Sequence, residues 1–195
     1  MPKMTVKVDV EGAQEWFDAL EDKVANKVAR YWIIDVGRRA FSAVKDAMAA
    51  GYTMKRSYID LNMKTQPSEI AVIISGKARQ TSLSRFNVGE TATGVLAEVR
   101  RSQNAQYYDR AFLKTVPTPK TGRPYKGVFI SVPDSTYERK SGRSTGGRWR
   151  LKALYWSTSF GLLLKSEWIH KVVNETIAEC KDRIFKQKIN DIGLK

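Results

Sequence analysis

One long uninterrupted stretch, Ala13 to Ala50, constrains the fold more than any other feature, because it has no proline and a single internal glycine, Gly37. Apolar residues recur along it every three or four positions: Trp16, Leu20, Val24, Val28, Tyr31, Ile33, Val36, Ala40, Val44 and Met48. Such spacing places them on one face of an α-helix. The sequence therefore predicts one long amphipathic helix, or two helices bent near Gly37, with Gly51 at the C-terminal cap.

A second helix is predicted near the C-terminus, from Ser166 to Asn190. Its apolar face is formed by Ile169, Val172, Val173, Ile177, Cys180 and Ile184. The hydroxyl of Ser166 is suited to cap the first turn, where Glu167 favours the positive end of the helix dipole.

The segments outside these helices alternate apolar and polar residues, which is typical of half-buried strands. The predicted strands are Met4–Val10, Glu69–Ser75, Val95–Val99, Tyr107–Val116, Tyr125–Val132 and Trp149–Tyr155. A helical turn capped by Thr53 is expected over Met54–Leu61, and a turn over Ser157–Gly161. The predicted class is α+β, a single domain over residues 1–195 in which a mainly antiparallel twisted sheet packs against two long helices and carries extended basic loops.

Positive charge is concentrated in the middle of the chain. The sequence has 34 Lys and Arg against 20 Asp and Glu, a net charge of +14. Residues 51–166 hold 20 of these cations and 7 of the acids, a net charge of +13. A regional excess of this kind indicates a surface that faces nucleic acid, anionic lipid or an acidic protein.

The densest part of that excess is the basic region, residues 116–152, which contains two expected loops, Pro117–Pro124 and Pro133–Gly147. The candidate contact residues for nucleic acid or a partner are Lys120, Arg123, Lys126, Arg139, Lys140, Arg143, Arg148, Arg150 and Lys152. No helix-turn-helix, zinc finger or RNP motif accompanies them, so any DNA contact would be to phosphates and independent of sequence. Contact with acidic patches of protein subunits is the alternative.

The sequence favours no catalytic, metal or cofactor site. His170 is the only histidine and is expected to be structural or exposed; Cys180 is the only cysteine and is expected to be a buried apolar group. The run Ser141–Arg148 lacks the phosphate-loop pattern. A nuclease would need an acidic metal cluster, and the basic middle offers only one close pair of acids, Asp134 and Glu138.

Cysteine content and hydropathy bear on the compartment. A single cysteine forms no internal disulfide, which favours synthesis in a reducing cytoplasm. No run of about 18 apolar residues occurs, so the sequence predicts no membrane-spanning helix.

Several stretches resemble the minor tail protein Z family of tailed bacteriophages and prophages. They are Ala25–Tyr52, Met54–Ile59, Thr93–Val99, Arg110–Phe112 and Lys152–Leu164. The resemblance implies a structural virion tail protein rather than an enzyme, located at the head-proximal end of the tail. It further implies several copies forming a ring around the tail axis, with tail tube, tail terminator and connector proteins as neighbours.

These observations lead to two expectations of function. The first is a minor tail or tail-completion protein whose basic loops face genomic DNA or acidic subunits. The alternative is a sequence-independent DNA-binding protein that acts outside the virion.

Overall fold

A computed structural model describes the chain in six segments. They comprise residues 3–9, 22–66, 71–117, 122, 124–136 and 149–191. Contacts within the chain cluster in two compact units. The helical unit comprises Met1–Ala50, Ile59–Arg79 and Thr158–Lys195, and the basic unit comprises Gly51–Tyr58 and Gln80–Ser157. The single domain expected over residues 1–195 stays a prediction.

Helices and antiparallel strands make up most of the described chain, which confirms the α+β class. The elements are β1 Lys3–Asp9, α1 Asp22–Gly51, β2 Leu61–Gln66, β3 Ala71–Lys77, β4 Gln80–Ser82, β5 Asn87–Glu90, β6 Gly94–Glu98, β7 Gln106–Asp109, β8 Ala111–Pro117, β9 Pro124–Thr136, β10 Trp149–Ala153, β11 Tyr155–Ser159, α2 Phe160–Leu163 and α3 Glu167–Asp191. Within the described residues the strands form four sheets, ordered β1-β3-β2, β10-β9-β8, β11-β4 and β5-β6-β7.

Helix α1 is continuous through Gly37, so the described part of the first predicted helix is one element. Its buried residues include a run spaced by four: Val28, Trp32, Val36, Ala40, Val44 and Met48. Tyr31 was expected on this face but is 49% exposed, because the buried run passes through Trp32 and residue 31 lies about 100° around the helix from it. Trp16 and Leu20 lie outside the described residues.

Glycines let helices approach strand β3 closely in the helical unit. A Cβ added at Gly37 of α1 would lie 2.6 Å from a methyl group of Val72. A Cβ at Gly76 would lie 2.9 Å from the backbone nitrogen of Gly161, in α2. Strand β3 is central in its sheet, paired antiparallel to β1 and to β2. At Gly37 the backbone of α1 therefore lies against a side chain of β3, and at Gly76 the backbones of β3 and α2 lie against each other.

Helix α3 closes the core of the helical unit. Five of the six residues predicted for its apolar face are buried, Ile169, Val173, Ile177, Cys180 and Ile184, whereas Val172 is only half-buried. The indole Nε1 of Trp32, in α1, donates to the carbonyl of Lys181, in α3, at 3.0 Å. The ammonium of Lys188 lies 2.9 Å from the carboxylate of Asp35, and this hydrogen bond raises the pKa of Lys188.

The basic unit contains two three-stranded antiparallel sheets. In one, β9 pairs with β8 from Pro117↔Pro124 to Ala111↔Ile130, and with β10 from Ala153↔Phe129 onward. In the other, β6 is central between β5 and β7. Val95 and Ala97 of β6 are buried, whereas Leu96 between them is 40% exposed. The second sheet thus has one buried and one solvated face.

Two local predictions in the basic unit are wrong. The strand expected over Tyr107–Val116 is interrupted at Arg110, whose φ of 53° turns the chain between β7 and β8. The loop expected to begin at Pro133 instead continues strand β9 to Thr136. Proline is tolerated there because the strand pairing is interrupted around Pro133. Strand β8 pairs with β9 only as far as Ile130, and the register between β9 and β10 shifts between Val132 and Thr136.

Two short turns were also misassigned. The segment expected as a helical turn, Met54–Leu61, has only a 3-10 turn at Arg56–Tyr58 and then enters β2. The turn expected over Ser157–Gly161 is the end of β11 followed directly by α2. The hydroxyl of Ser166, the predicted cap of α3, donates to the carbonyl of Leu163 at 2.5 Å.

Candidate anion-binding site

The basic unit contains a pocket of about 360 Å³, referred to below as the basic pocket. Its lining residues are Thr53, Lys55, Tyr58, Ser84, Arg85, Phe86, Asn87, Glu98 and Arg101. They come from the segment after α1, from the 3-10 turn Leu83–Arg85 and the start of β5, and from the end of β6 and the loop after it. Distant parts of the sequence thus converge on one concavity.

Thr53 fastens these segments together. Its hydroxyl donates to the backbone carbonyl of Glu98 and accepts from the backbone N–H of Asn87 at 3.1 Å. Its own N–H donates to the carbonyl of Val99 at 3.1 Å. This explains why Thr53 does not cap a helix: its hydroxyl is used to join β5 and β6 to the chain that follows α1. The wall of the pocket is therefore held together by hydrogen bonds that Thr53 makes to backbone groups.

Three cations line the pocket against one carboxylate. Lys55, Arg85 and Arg101 are all exposed, and the structure assigns none of them an ion pair within the described residues. The carboxylate of Glu98 accepts from the side-chain amide of Asn87 at 2.9 Å. Three positive charges and one negative charge leave a net charge of +2 in the pocket. An anion entering it would meet an unneutralised positive field.

Arg85 is held in place by Tyr58. One guanidinium nitrogen, Nη1, donates to the carbonyl of Tyr58 at 3.3 Å, and the guanidinium carbon lies 5.8 Å from the centre of the Tyr58 ring. Tyr58 is 43% exposed. The pair therefore presents a positioned cation and an accessible ring at the same edge of the pocket.

A serine connects the pocket wall to the predicted basic region. The hydroxyl of Ser84 donates to the backbone carbonyl of Lys126, in β9, at 2.7 Å. Ser84 also lies 3.0 Å from Ser82, which accepts a hydrogen bond from the Tyr125 hydroxyl at 2.7 Å. Burial raises the pKa of Tyr125, so this hydroxyl keeps its proton and remains a donor.

A cluster of aromatic rings stabilises the chain on which Thr53 stands. Trp156 packs against Tyr52 with ring centres 4.9 Å apart, and against Phe86 at 5.4 Å. The guanidinium of Arg100 lies 5.7 Å from the centre of the Tyr52 ring. Tyr52 and Phe86 are buried, so they hold the segments of Thr53 and Asn87 through apolar packing.

Few of the predicted contact residues fall in the described chain. Six of them lie outside it: Lys120, Arg123, Arg139, Lys140, Arg143 and Arg148. Arg150 is described by its backbone alone, paired with Val132 in β10. Lys126 and Lys152 are described and exposed. Because Lys152 pairs with Ile130, and Ile130 follows Lys126 by four residues on β9, both lysines lie on the same face of the sheet.

Sequence inspection missed the basic pocket. Lys55 and Arg85 are 30 positions apart and Arg85 and Arg101 are 16 apart, so they do not form a cluster in the sequence. Thr53 was predicted to cap a helical turn instead.

The two residues considered for catalysis are far from this pocket in the sequence and take other roles. His170 is exposed, and its Nε2 lies 3.0 Å from the carbonyl of Leu164. Cys180 is buried and its thiol donates to the carbonyl of Thr176; burial raises its pKa. Within the described segments, no group of three or more His, Cys, Asp or Glu side chains is placed to hold a metal ion.

Comparisons with known proteins found no relative. No protein family matches the chain, and searches among curated proteins and solved structures gave no match either. In the part of the chain that the structure describes, no helix has the length and apolar character needed to cross a membrane.

Proposed function

We propose that the protein is a structural, non-enzymatic minor tail or tail-completion protein of a tailed phage, acting at the head-proximal end of the tail. One observation carries the polyanion contact: the basic unit holds 16 of the Lys and Arg residues and 5 of the acids, a net charge of +11. The helical unit holds the remaining 18 and 15, a net charge of +3. The tail assignment itself rests on the family resemblance.

In the proposed architecture the two units have different roles. The helical unit supplies a packed body, in which the sheet of β1, β2 and β3 packs against the two long helices α1 and α3. The contacts of Gly37 with Val72 and of Trp32 with Lys181 support this arrangement. The basic unit, which contains the basic region of residues 116–152, provides the docking surface.

The proposed partners are the tail tube, the tail terminator or the connector, with several copies of the chain forming a ring. Genomic DNA passes along the axis of such a ring, and basic side chains that face it meet phosphates without reading the sequence. Lys126 and Lys152, exposed on one sheet face, suit this contact.

A null mutant tests the tail assignment. The gene is inactivated in its phage or prophage, lysis is induced, and the lysate is imaged by negative-stain electron microscopy. Filled heads separate from tails, or tails with defective ends, are expected, and purified protein added to the lysate should restore joined particles. Normal, infectious particles would refute the tail role.

Charge replacement tests the docking surface. Changing Arg139, Lys140, Arg143, Arg148 and Arg150 to Ser should abolish restoration by the added protein. The control changes five exposed cations of the helical unit to Ser: Lys27, Arg30, Arg38, Lys171 and Lys186. Equal restoration by both variants would show that the basic loops do not dock.

The second candidate is a sequence-independent DNA-binding protein acting outside the virion, and the charge of the basic unit favours it as well. A salt titration on random duplex DNA separates the two. Tight binding with a steep negative slope of log affinity against log salt supports this candidate, whereas binding at the non-specific floor of about 10⁻⁴ to 10⁻⁶ M supports the assembly role.

A further inference from the structure

We propose that the basic pocket binds single-stranded nucleic acid, seating one phosphate between Lys55, Arg85 and Arg101 while the base stacks on Tyr58. This inference does not depend on the place of the protein in a phage tail, and it concerns residues outside the 116–152 basic region. It rests on the coincidence of three features in one concavity: cations that no acid of the described residues pairs with, a positioned guanidinium and an accessible aromatic ring.

The cations supply the phosphate contact. Arg85 has one nitrogen engaged by the Tyr58 carbonyl, and a guanidinium carries five N–H donors in a fixed plane, so donors remain for phosphate oxygens. Lys55 and Arg101 are exposed and line the same pocket. Because the structure assigns these three no ion pair within the described chain, a phosphate need displace no carboxylate from them.

The ring supplies the preference for a single strand. Bases inside a duplex are stacked on each other and cannot reach a protein ring, whereas a single strand turns its bases outward onto aromatic side chains. Tyr58 is 43% exposed beside the cations, and Arg85 lies over its ring. A pocket of about 360 Å³ lies in the range of small-ligand sites, which suits a single nucleotide.

Removing the charge of the one carboxylate that lines the pocket tests whether the ligand is an anion or a cation. Glu98 is tied to Asn87 by a hydrogen bond that a glutamine at position 98 would preserve through its carbonyl oxygen. An anionic ligand is repelled by Glu98, so Glu98→Gln should tighten its binding, by up to about fivefold for a charge some 4 Å away in water. A cationic ligand would respond in the opposite direction.

The experiment measures fluorescence anisotropy of a labelled short oligothymidine with the full chain. Arg85→Gln should weaken binding and reduce the slope of log affinity against log salt by about 0.7, the value for one phosphate of a single strand. Tyr58→Leu should weaken it by about fivefold or more, whereas Tyr58→Phe, which keeps the ring, should bind as the wild type does. Arg79→Gln is the charge-matched control, because Arg79 is exposed and does not line the pocket.

Four outcomes would overturn the proposal. The first is binding of Arg85→Gln no weaker than that of Arg79→Gln, and the second is binding of Tyr58→Leu no weaker than that of Tyr58→Phe. The third is tighter binding of a duplex of equal length than of the oligothymidine, with the same sensitivity to Arg85→Gln. The fourth is competition by a poly-glutamate peptide as effective as that by unlabelled oligothymidine, which would assign the pocket to acidic protein instead. Circular dichroism of each variant checks that the change in binding does not come from unfolding.

Discussion

The close approach of helix α2 to strand β3 makes Gly76 a position where a single methyl group should destabilise the fold. An alanine Cβ there would lie 2.9 Å from the Gly161 nitrogen and 3.0 Å from the Phe160 carbonyl carbon. Both atoms belong to backbone, so relief requires a shift of α2 itself. A third contact, at 3.0 Å, is with a methyl group of Leu61, which a rotamer change could relieve.

The expected change in the free energy of unfolding is the difference between two opposing contributions. Overpacking of this kind costs about 1 to 3 kcal/mol. Alanine recovers about 0.5 to 1 kcal/mol because it restricts the unfolded chain more than glycine does. The expected net loss for Gly76→Ala is therefore about 1 to 2 kcal/mol, or about 2 to 8 °C in Tm for a chain of this length.

Gly89 provides the control, because it also lies in a strand, β5, and a Cβ there would have no heavy atom within 4 Å. Gly89→Ala should leave the stability unchanged or raise it by up to about 1 kcal/mol. Differential scanning calorimetry of the two variants measures the difference. A Tm for Gly76→Ala equal to or above that of Gly89→Ala would show that α2 does not lie against β3 as described.

Three further perturbations test local features within each unit. The hydrogen bond to Asp35 raises the pKa of Lys188 above its ordinary value of 10.5. The stabilisation of the fold by this pair is therefore complete below pH 10.5 and is lost as the pH rises through the folded-state pKa. Urea midpoints across this alkaline range should fall further for the wild type than for Lys188→Gln. Parallel curves for the two proteins would refute a stabilising bond between Lys188 and Asp35. Cys180 is buried with a raised pKa, so a thiol reagent at neutral pH should label it only as fast as the helical unit opens, and labelling at the rate of a free thiol would refute its burial. Thr53→Val should lower the free energy of unfolding by about 1 to 2 kcal/mol through loss of the bonds to Glu98 and Asn87, whereas Thr53→Ser should retain most of it; equal urea midpoints for both would refute the role of the hydroxyl.

Long periodic segments were the part of the fold that sequence could predict. Five of the six residues predicted for the apolar face of α3 are buried, because one buried stripe on a long helix repeats the same physical signal several times. Tyr31 and Trp32 show the limit of that signal: both are large and aromatic, and only the position of the facing elements decides which of the two is buried. Strand β2 was missed because only two residues of its sequence, LNMKTQ, are apolar, and the strand is fixed by pairing with β3.

The site was harder to predict than the fold. A cluster such as Arg139–Lys140 is visible in sequence because its charges are adjacent, whereas the basic pocket joins Lys55, Arg85 and Arg101 through tertiary structure. The bonds of Thr53 to β5 and β6 bring these segments together, and nothing in the local sequence distinguishes a hydroxyl that caps a helix from one that bridges strands.

The order of segments along the chain has a consequence for biosynthesis. The helical unit is discontinuous, and the hydrogen bond from Trp32 to Lys181 joins residues 149 positions apart. At about 5 to 20 residues per second, a ribosome needs about 7 to 30 s to make the chain between them. During that interval Trp32 and its buried neighbours on α1 have no α3 to cover them. The basic unit, by contrast, has all its residues once Ser157 is made, so the nascent chain offers an uncovered apolar helix to chaperones while the later-encoded basic unit is already complete.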